Sequence, residues 1–228
     1  MIKSIVLTGI LLVYVILLFD ISNLDLLVQN YFYNSDLHQW ILNDNDVVLD
    51  FIFYSGFKKA LILFALSLLT ALILFRKTTV IQHYKQGILI VLLSLILVPT
   101  TVGLLKSITN VPCPKHLVRY GGAYPYVKAL KPMPSDFKRE KQFKCFPAGH
   151  ASGGFALMSL FFLFKTKRNQ RLALASAISI GWITGGYKML IGDHFLSHTI
   201  VTMLLAWIII LLITTTIQWY QIQFHSTQ

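Results

Sequence analysis

The chain has 228 residues, of which 55% are hydrophobic and only 13% charged. A soluble domain of this length carries about 25% charged residues, so the composition excludes one and points to an integral membrane protein. The few charges are also unbalanced, 20 Lys and Arg against 9 Asp and Glu, a net +11 that has to sit somewhere specific.

Long stretches with few charges predict six membrane spans. The first runs from Ile5 to Phe19 and is read as a retained span, because no small-residue cleavage site follows it. A second covers Phe51 to Phe75, with Lys58 and Lys59 interrupting its first third, so either the lysines snorkel to the interface or the apolar helix begins after them. The third, Gln86 to Leu105, contains Pro99, which predicts a local kink. A fourth follows CFPAGHASGG and ends at Lys165. The fifth, Leu172 to Tyr187, is short for a full crossing, and the sixth runs from His198 to Tyr220. With no repeat and no low-complexity linker, the expectation is an all-α polytopic membrane protein, one domain over 1–228.

Short-loop charges orient the spans. Lys3, Arg76, Lys77, Lys85, Lys165, Lys167, Arg168 and Arg171 fall on one side, whereas the loop after the first span holds Asp20, Asp25, Asp36, Asp44, Asp46 and Asp50 with no base. Both termini are therefore expected in the cytoplasm. The acidic loop, segment 106–150 and the turn 188–197 are expected to share the outer face. Segment 106–150 departs from the charge bias: Lys106, Lys115, Arg119, Lys128, Lys131, Lys138, Arg139, Lys141 and Lys144 stand against Asp136 and Glu140, nine against two, a net +7. Such an outer loop suits an anionic membrane surface or, more sharply, an anionic substrate. Nucleic acid is not expected as a partner of an outward loop.

Three clusters fall at outer span ends. Lys106 leads into SITNVPCPKHLVRYGG, with Pro112 and Pro114 restricting the backbone. In FPAGHASGG, Pro147, Gly149, Gly153 and Gly154 surround His150, and a turn entering a helix offers free N–H groups to phosphate oxygens. The third, GYKMLIGDHFLSH, gathers Lys188, Asp193, His194 and His198, the two histidines sharing a face if that stretch is helical. Taken singly, a histidine at an interface, a glycine turn or an anchoring lysine is ordinary. Their convergence points to phosphoryl chemistry, with lysines neutralising oxygens, one histidine attacking phosphorus and another protonating the leaving oxygen. Two rival readings remain open here. One is a metal held by His150, Asp193, His194 and His198, poorly served by the nearby lysines; the other is a transporter, whose ionisable groups should sit at mid-membrane rather than at one surface.

In this order the clusters resemble the type 2 phosphatidic acid phosphatase (PAP2) family, related to the vanadium haloperoxidases. The family pattern of Lys-x6-Arg-Pro, Pro-Ser-Gly-His and Ser-Arg-x5-His-x3-Asp corresponds here to Lys106 with Cys113-Pro114, to Pro147-Ala148-Gly149-His150, and to Tyr187-Lys188 with His194 and His198. The resemblance covers the third to the sixth span. It implies a PAP2-type bundle in a bacterial inner membrane with a periplasmic site, and no cofactor or metal. By the same resemblance His194 is the nucleophile, through a phosphohistidine. His150 is the general acid, and Lys106, Lys188 and the Gly149 and His150 amides cradle the phosphoryl group. Four positions depart from the pattern: Cys113 and Lys188 stand for arginines, Ala148 for serine, and His198 for the aspartate that would orient the nucleophile. A neutral His198 can still accept a hydrogen bond from His194. Arg119 is the nearest replacement for the missing guanidinium.

Cys113 and Cys145 both lie in the outer segment, where a disulfide would tie the first cluster to the second; two free thiols are the alternative. The expected function is hydrolysis of a phosphomonoester or pyrophosphate on an anionic envelope lipid, such as lipid A phosphate, undecaprenyl diphosphate or a phosphatidate-type lipid. A lipid phosphotransferase using the same site, or an impaired transporter or scaffold with the same fold, are the alternatives.

Overall fold

The computed structural model describes residues 1–131 and 142–225, and helices dominate it. Five charges of the basic segment, Asp136, Lys138, Arg139, Glu140 and Lys141, lie outside the described residues. Helix α1 (Ile2–Ile21) buries Thr8, Val15 and Phe19, a single stripe at helical spacing, and leaves its other faces apolar and exposed. Val15 and Phe19 pack against Val201 and Leu204 of α9 (Leu196–His225). Helix α2 (Leu24–Asn30) and a two-residue hairpin, β1 (Tyr33–Asn34) with β2 (Gln39–Trp40), follow. A short helix, α3 (Val47–Asp50), is capped by the Asp46 carboxylate and continues through a π-type turn at Phe51–Ser55 into α4 (Gly56–Leu74). No residue of α4 is buried, so this helix leans on the bundle from outside.

The long helix α5 (Thr79–Thr109) starts on the Thr78 hydroxyl and runs through Pro99 as one element. It stops where Asn110 turns left-handed at φ 50°, a conformation asparagine tolerates, and the Asn110 side chain then accepts from the Phe143 N–H at 2.7 Å. At the centre lies α6 (Gly149–Ala156), which passes through a 3-10 turn at Leu157–Ser159 into α7 (Leu160–Leu163). Its small residues allow it this place. Ala151 and Ala156 are fully buried, and Gly154 meets Gly181 of α8 (Lys167–Leu190) so closely that an added Cβ would lie 2.7 Å from the Gly181 Cα. Val91, Val98 and Val102 of α5 and Ala206 and Ile210 of α9 complete the core, all fully buried. Between helices in lipid the apolar driving force of water is absent, so such close dispersion contacts carry the packing.

Among the described residues, four helical stretches are long and apolar enough to cross a membrane: Ile2–Ile21, Val47–Leu74, Thr79–His116 and Leu196–Gln223. The expected fourth and fifth spans differ from these. Gly149–Leu163 is apolar but shorter, about 22 Å at 1.5 Å per residue. Helix α8 has the length, 24 residues, but opens with Lys167, Arg168 and Arg171. The second span keeps Lys58 and Lys59 inside continuous helix instead of starting after them.

At one end of the bundle the C-termini of α5 and α8 meet the N-termini of α6 and α9. The α8–α9 turn is fixed by Gly192, at φ 76°, against the Trp40 ring, whose atoms would lie 2.4–2.9 Å from any Cβ there. Gln29 of α2, fully buried, donates to the Met189 carbonyl at 2.9 Å and ties the outer elements to the same turn.

Candidate functional site

His150 is the second residue of α6, His194 sits in the α8–α9 turn, and His198 is on the first turn of α9. Because His194 precedes α9, the helical i, i+4 relation does not hold. The turn itself brings the rings together edge-on, 5.8 Å between centroids. His150 Nδ1 lies 3.3 Å from His194 Nε2, in direct hydrogen-bond contact. Both His194 and His198 are 2% exposed, and the Nδ1 atom of each is buried, with the Cys145 backbone beside both rings. The expected His198–His194 hydrogen bond is not formed. The two rings meet as aromatic neighbours, with Phe195 and Phe146 also edge-on to His198.

The main chain enforces this convergence. The Ala148 N–H donates to the His198 carbonyl at 3.3 Å, and the Thr202 hydroxyl, which donates to the same carbonyl at 2.8 Å, lies 3.3 Å from the Ala148 carbonyl, so the turn before α6 hangs on α9. The Ala148 side chain, fully buried, offers no cap, so the first amides of α6 at Gly149 and His150 are left for another acceptor. Lys106 reaches across from α5: its Nζ lies 3.1 Å from where a Cβ on Gly149 would stand. A methyl group at 149 would make the ammonium give way by a few tenths of an ångström.

Lys188, 6% exposed, bonds Asp193 Oδ2 at 3.1 Å, and its ammonium lies over the Tyr54 ring at 5.1 Å. Tyr54 in turn meets His150 edge-on at 4.5 Å. Burial drives the His194 pKa down to about 3, with the charge of His150 adding to the effect and Asp193 opposing it, so its imidazole is neutral at ordinary pH. Burial pushes the Asp193 carboxyl up, but the ammoniums of Lys115 and Lys188 outweigh it and hold the group below the usual carboxylate range.

A cavity of about 630 Å³ adjoins this cluster. It lies between α4 and α5, with Lys106, Gly149 and His150 at one end and mostly apolar side chains along the rest, from Phe57 to Leu69 on α4, where Lys58 also lines it, and from Leu92 to Pro99 on α5.

Two sequence expectations fall elsewhere. Arg119 is engaged by Asn30 of α2, Nε to Oδ1 at 3.1 Å, rather than by the histidines. The His150, Asp193, His194 and His198 set does not form a group of convergent metal-ligand atoms among the described residues. The group that does is Cys113, His116 and Cys145, and there the structure joins the two cysteines as a disulfide, Cα atoms 5.3 Å apart.

The order and spacing of the three motifs now have a shared geometry, and the sequence matches the PAP2 superfamily over residues 87–222. The chain belongs to the PAP2 superfamily. Among curated proteins and among solved structures none matches. For a PAP2 chain, phosphatase-type activity is the supported class. The matched region takes in α5 from Gly87 onward, α6, α8 and most of α9, so the parts of these four helices that supply the cluster lie within it.

Three residues at this PAP2 site escaped sequence reasoning. Tyr54 lies on the second span, outside the motifs, and nothing local marks it. Asp25, 5% exposed, accepts from the Ser197 N–H at 2.9 Å and so caps α9 from α2. Burial raises its pKa to about 6 against the pull of those hydrogen bonds. Lys115 bonds Asp193 Oδ1 at 2.9 Å; its signal was its place directly after Pro114 in the first motif.

Proposed function

We propose that the protein is an integral membrane lipid phosphatase of a bacterial inner membrane. Its substrate is a phosphomonoester or pyrophosphate of an anionic envelope lipid, and it works through a phosphohistidine on His194. In this reading the six helical segments each traverse the bilayer, both termini are cytoplasmic and the histidine cluster opens to the periplasm. The observation that carries the lipid assignment is the cavity between α4 and α5. Its walls extend over the seventeen residues from Phe53 to Leu69, apolar apart from Tyr54 and Lys58, about 25 Å of helix, and its polar end is formed by Lys106, Gly149 and His150. Such a slot accepts a hydrocarbon chain along its length and delivers the phosphorylated end to the cluster. A soluble phosphate ester has no use for the apolar part.

The chemistry follows from the atoms present. The neutral His194 Nε2 donates its lone pair to phosphorus, the P–N bond forms, and the P–O bond to the lipid oxygen breaks. His150, whose Nδ1 stands 3.3 Å from that nitrogen, takes up a proton as the phosphoryl dianion settles beside it, moves to the leaving-group side, where the cavity gives its ring room, and passes that proton to the departing oxygen. Water then attacks the phosphohistidine while His150 takes up the water proton. The P–N bond breaks, phosphate leaves and His194 is restored. Lys106, Lys188 and the α6 amides neutralise the equatorial oxygens throughout. His198 walls the back of the His194 ring in place of a charged aspartate.

The test is phosphate release by the detergent-purified protein from a panel of lipid phosphates and pyrophosphates. His150→Ala and His194→Ala are assayed beside the wild type. Release that both substitutions abolish supports the assignment; no release from any long-chain substrate, or full turnover by His194→Ala, refutes it.

A further inference from the structure

Lys115 and Asp193 belong to no position of the PAP2 pattern quoted above, yet they stand among residues that do. The Asp193 carboxylate is shared between two ammoniums, Oδ1 at 2.9 Å from Lys115 and Oδ2 at 3.1 Å from Lys188. Asp44, from the acidic first outer loop, holds the far side of Lys115 at 3.1 Å. The backbone fixes all of this. The Lys115 N–H donates to the Gly192 carbonyl at 2.9 Å, and the Asp193 N–H donates to the Lys188 carbonyl at 2.8 Å. Side-chain exposure falls along the chain of charges, 44% at Asp44, 32% at Lys115, 18% at Asp193 and 8% at Lys188, so the array leads from solvent into the buried cluster.

Two cations bridged by the two oxygens of one carboxylate have the spacing that two oxygens of a phosphoryl group also satisfy. Counting charges, Lys106, Lys115 and Lys188 give three positive against the two negative of Asp44 and Asp193. That leaves a single net positive charge to meet a phosphomonoester dianion unless a carboxylate gives up its cations. We propose that Asp193 is a resident anion that a phosphoryl group displaces from Lys115 and Lys188. Lys115 is then a phosphate-positioning residue that supplies the donor missing at Cys113. This rests on the phosphatase reading. Substrate entry becomes an exchange of anions: the carboxylate keeps two lysines ordered and desolvated, then yields them. Lys188 is steadied meanwhile by the Tyr54 face, and Asp44 retains a hold on Lys115.

The exchange predicts opposite signs for two neighbouring substitutions. Inorganic phosphate is titrated calorimetrically into the full-length protein in detergent, and KM and kcat are measured on the lipid phosphate turned over fastest. Lys115→Met is expected to weaken phosphate binding and raise KM by about tenfold, the loss of one charge-assisted hydrogen bond. Lys115→Arg should restore both. Asp193→Asn is expected to tighten phosphate by about tenfold, since the competing anion is gone, while kcat falls because the lysines are no longer held in place. Asp44→Asn, in an exposed loop, should tighten phosphate in the same direction by about twofold or threefold.

If Asp193→Asn weakens phosphate as Lys115→Met does, the carboxylate is a structural brace and the exchange is wrong. Unchanged affinity and KM in Lys115→Met also overturns it. Wild-type binding of phosphate without hydrolysis of any lipid sinks the phosphatase reading and leaves the exchange to be judged on affinities alone. Absence of phosphate binding by the wild type overturns both.

Discussion

Replacing Gly181 by alanine tests whether the close crossing of α6 and α8 sets the geometry of the site. A Cβ at 181 would lie 2.2 Å from Phe155 Cδ1, 2.3 Å from Cε1 and 2.8 Å from Cγ. Phe155 is fully buried, with Trp182 edge-on to it, so its ring has nowhere to turn. Ordinary contact begins near 3.4 Å, so the helices must part by about 1 Å, an overpacking cost of roughly 1–3 kcal/mol. His150 lies one helical turn before Gly154, which faces Gly181, and Lys188 lies two turns after Gly181. The separation therefore reaches both, and a displacement of about 1 Å in positioned groups costs on the order of a hundredfold in rate. Gly186→Ala is the control: its Cβ meets nothing within 4 Å, and replacing glycine in a helix stabilises by about 0.5–1 kcal/mol. Phosphate release and thermal unfolding in detergent are the readouts. Gly181→Ala is expected to lose about two orders of magnitude in kcat and several degrees in Tm, with Gly186→Ala at or above wild type in both. Wild-type kcat and Tm in Gly181→Ala would refute the claim that this crossing aligns the site.

Further outcomes follow from particular contacts. The Asp25 pKa of about 6 lies above its unfolded value of 3.8, so the folded protein binds the extra proton between those values. The stabilising contribution of Asp25 is then fully present below about pH 4 and is lost as pH rises to about 6, on the order of 3 kcal/mol, while buried His194, with its pKa of about 3, acts in the opposite direction. Asp25→Asn isolates this term: the Tm of wild type relative to the variant should fall as pH rises from about 4 to 6, and a difference that stays constant over that interval would contradict it. Gly103 lines the apolar cavity with open space at its Cβ, so Gly103→Trp should raise KM for a long-chain lipid phosphate about tenfold and leave a short soluble ester unaffected; equal effects on both would count against a chain-binding slot. The Cys113–Cys145 link closes a separation of 32 residues, worth about 4 kcal/mol by loop entropy. Reductant should lower the wild-type Tm and leave the Cys113→Ser, Cys145→Ser double variant unchanged. A wild-type Tm indifferent to reductant would argue against it.

What was legible in sequence divides along physical lines. Helical class and membrane character follow from long apolar runs, which leave little freedom once backbone groups must bond internally. His150, His194, Lys106 and Lys188 were recoverable because their spacings to prolines and glycines are fixed by the turns they occupy. Arg119 and Lys115 were confused because a charge count in a loop carries no direction. The 3-10 turn at Val118–Tyr120 delivers Arg119 to Asn30, while the turn at Pro114–His116 delivers Lys115 to Asp193. The i, i+4 reading of His194 and His198 failed because Gly192 ends α8 in a left-handed turn and α9 begins only at Leu196. Asp25 and Tyr54 were invisible, since contacts over 172 and 96 residues leave no local pattern.

The central claim is that His194 carries the phosphoryl group. Brief incubation with a lipid phosphate labelled on phosphorus, an acid-free denaturing quench, and separation of the protein tests it directly. Wild type should retain label that is stable in base and lost in mild acid, as a phosphohistidine is, and His194→Ala should retain none. Persistence of the label in His194→Ala, or turnover by wild type with no labelled protein at any quench time, would contradict it.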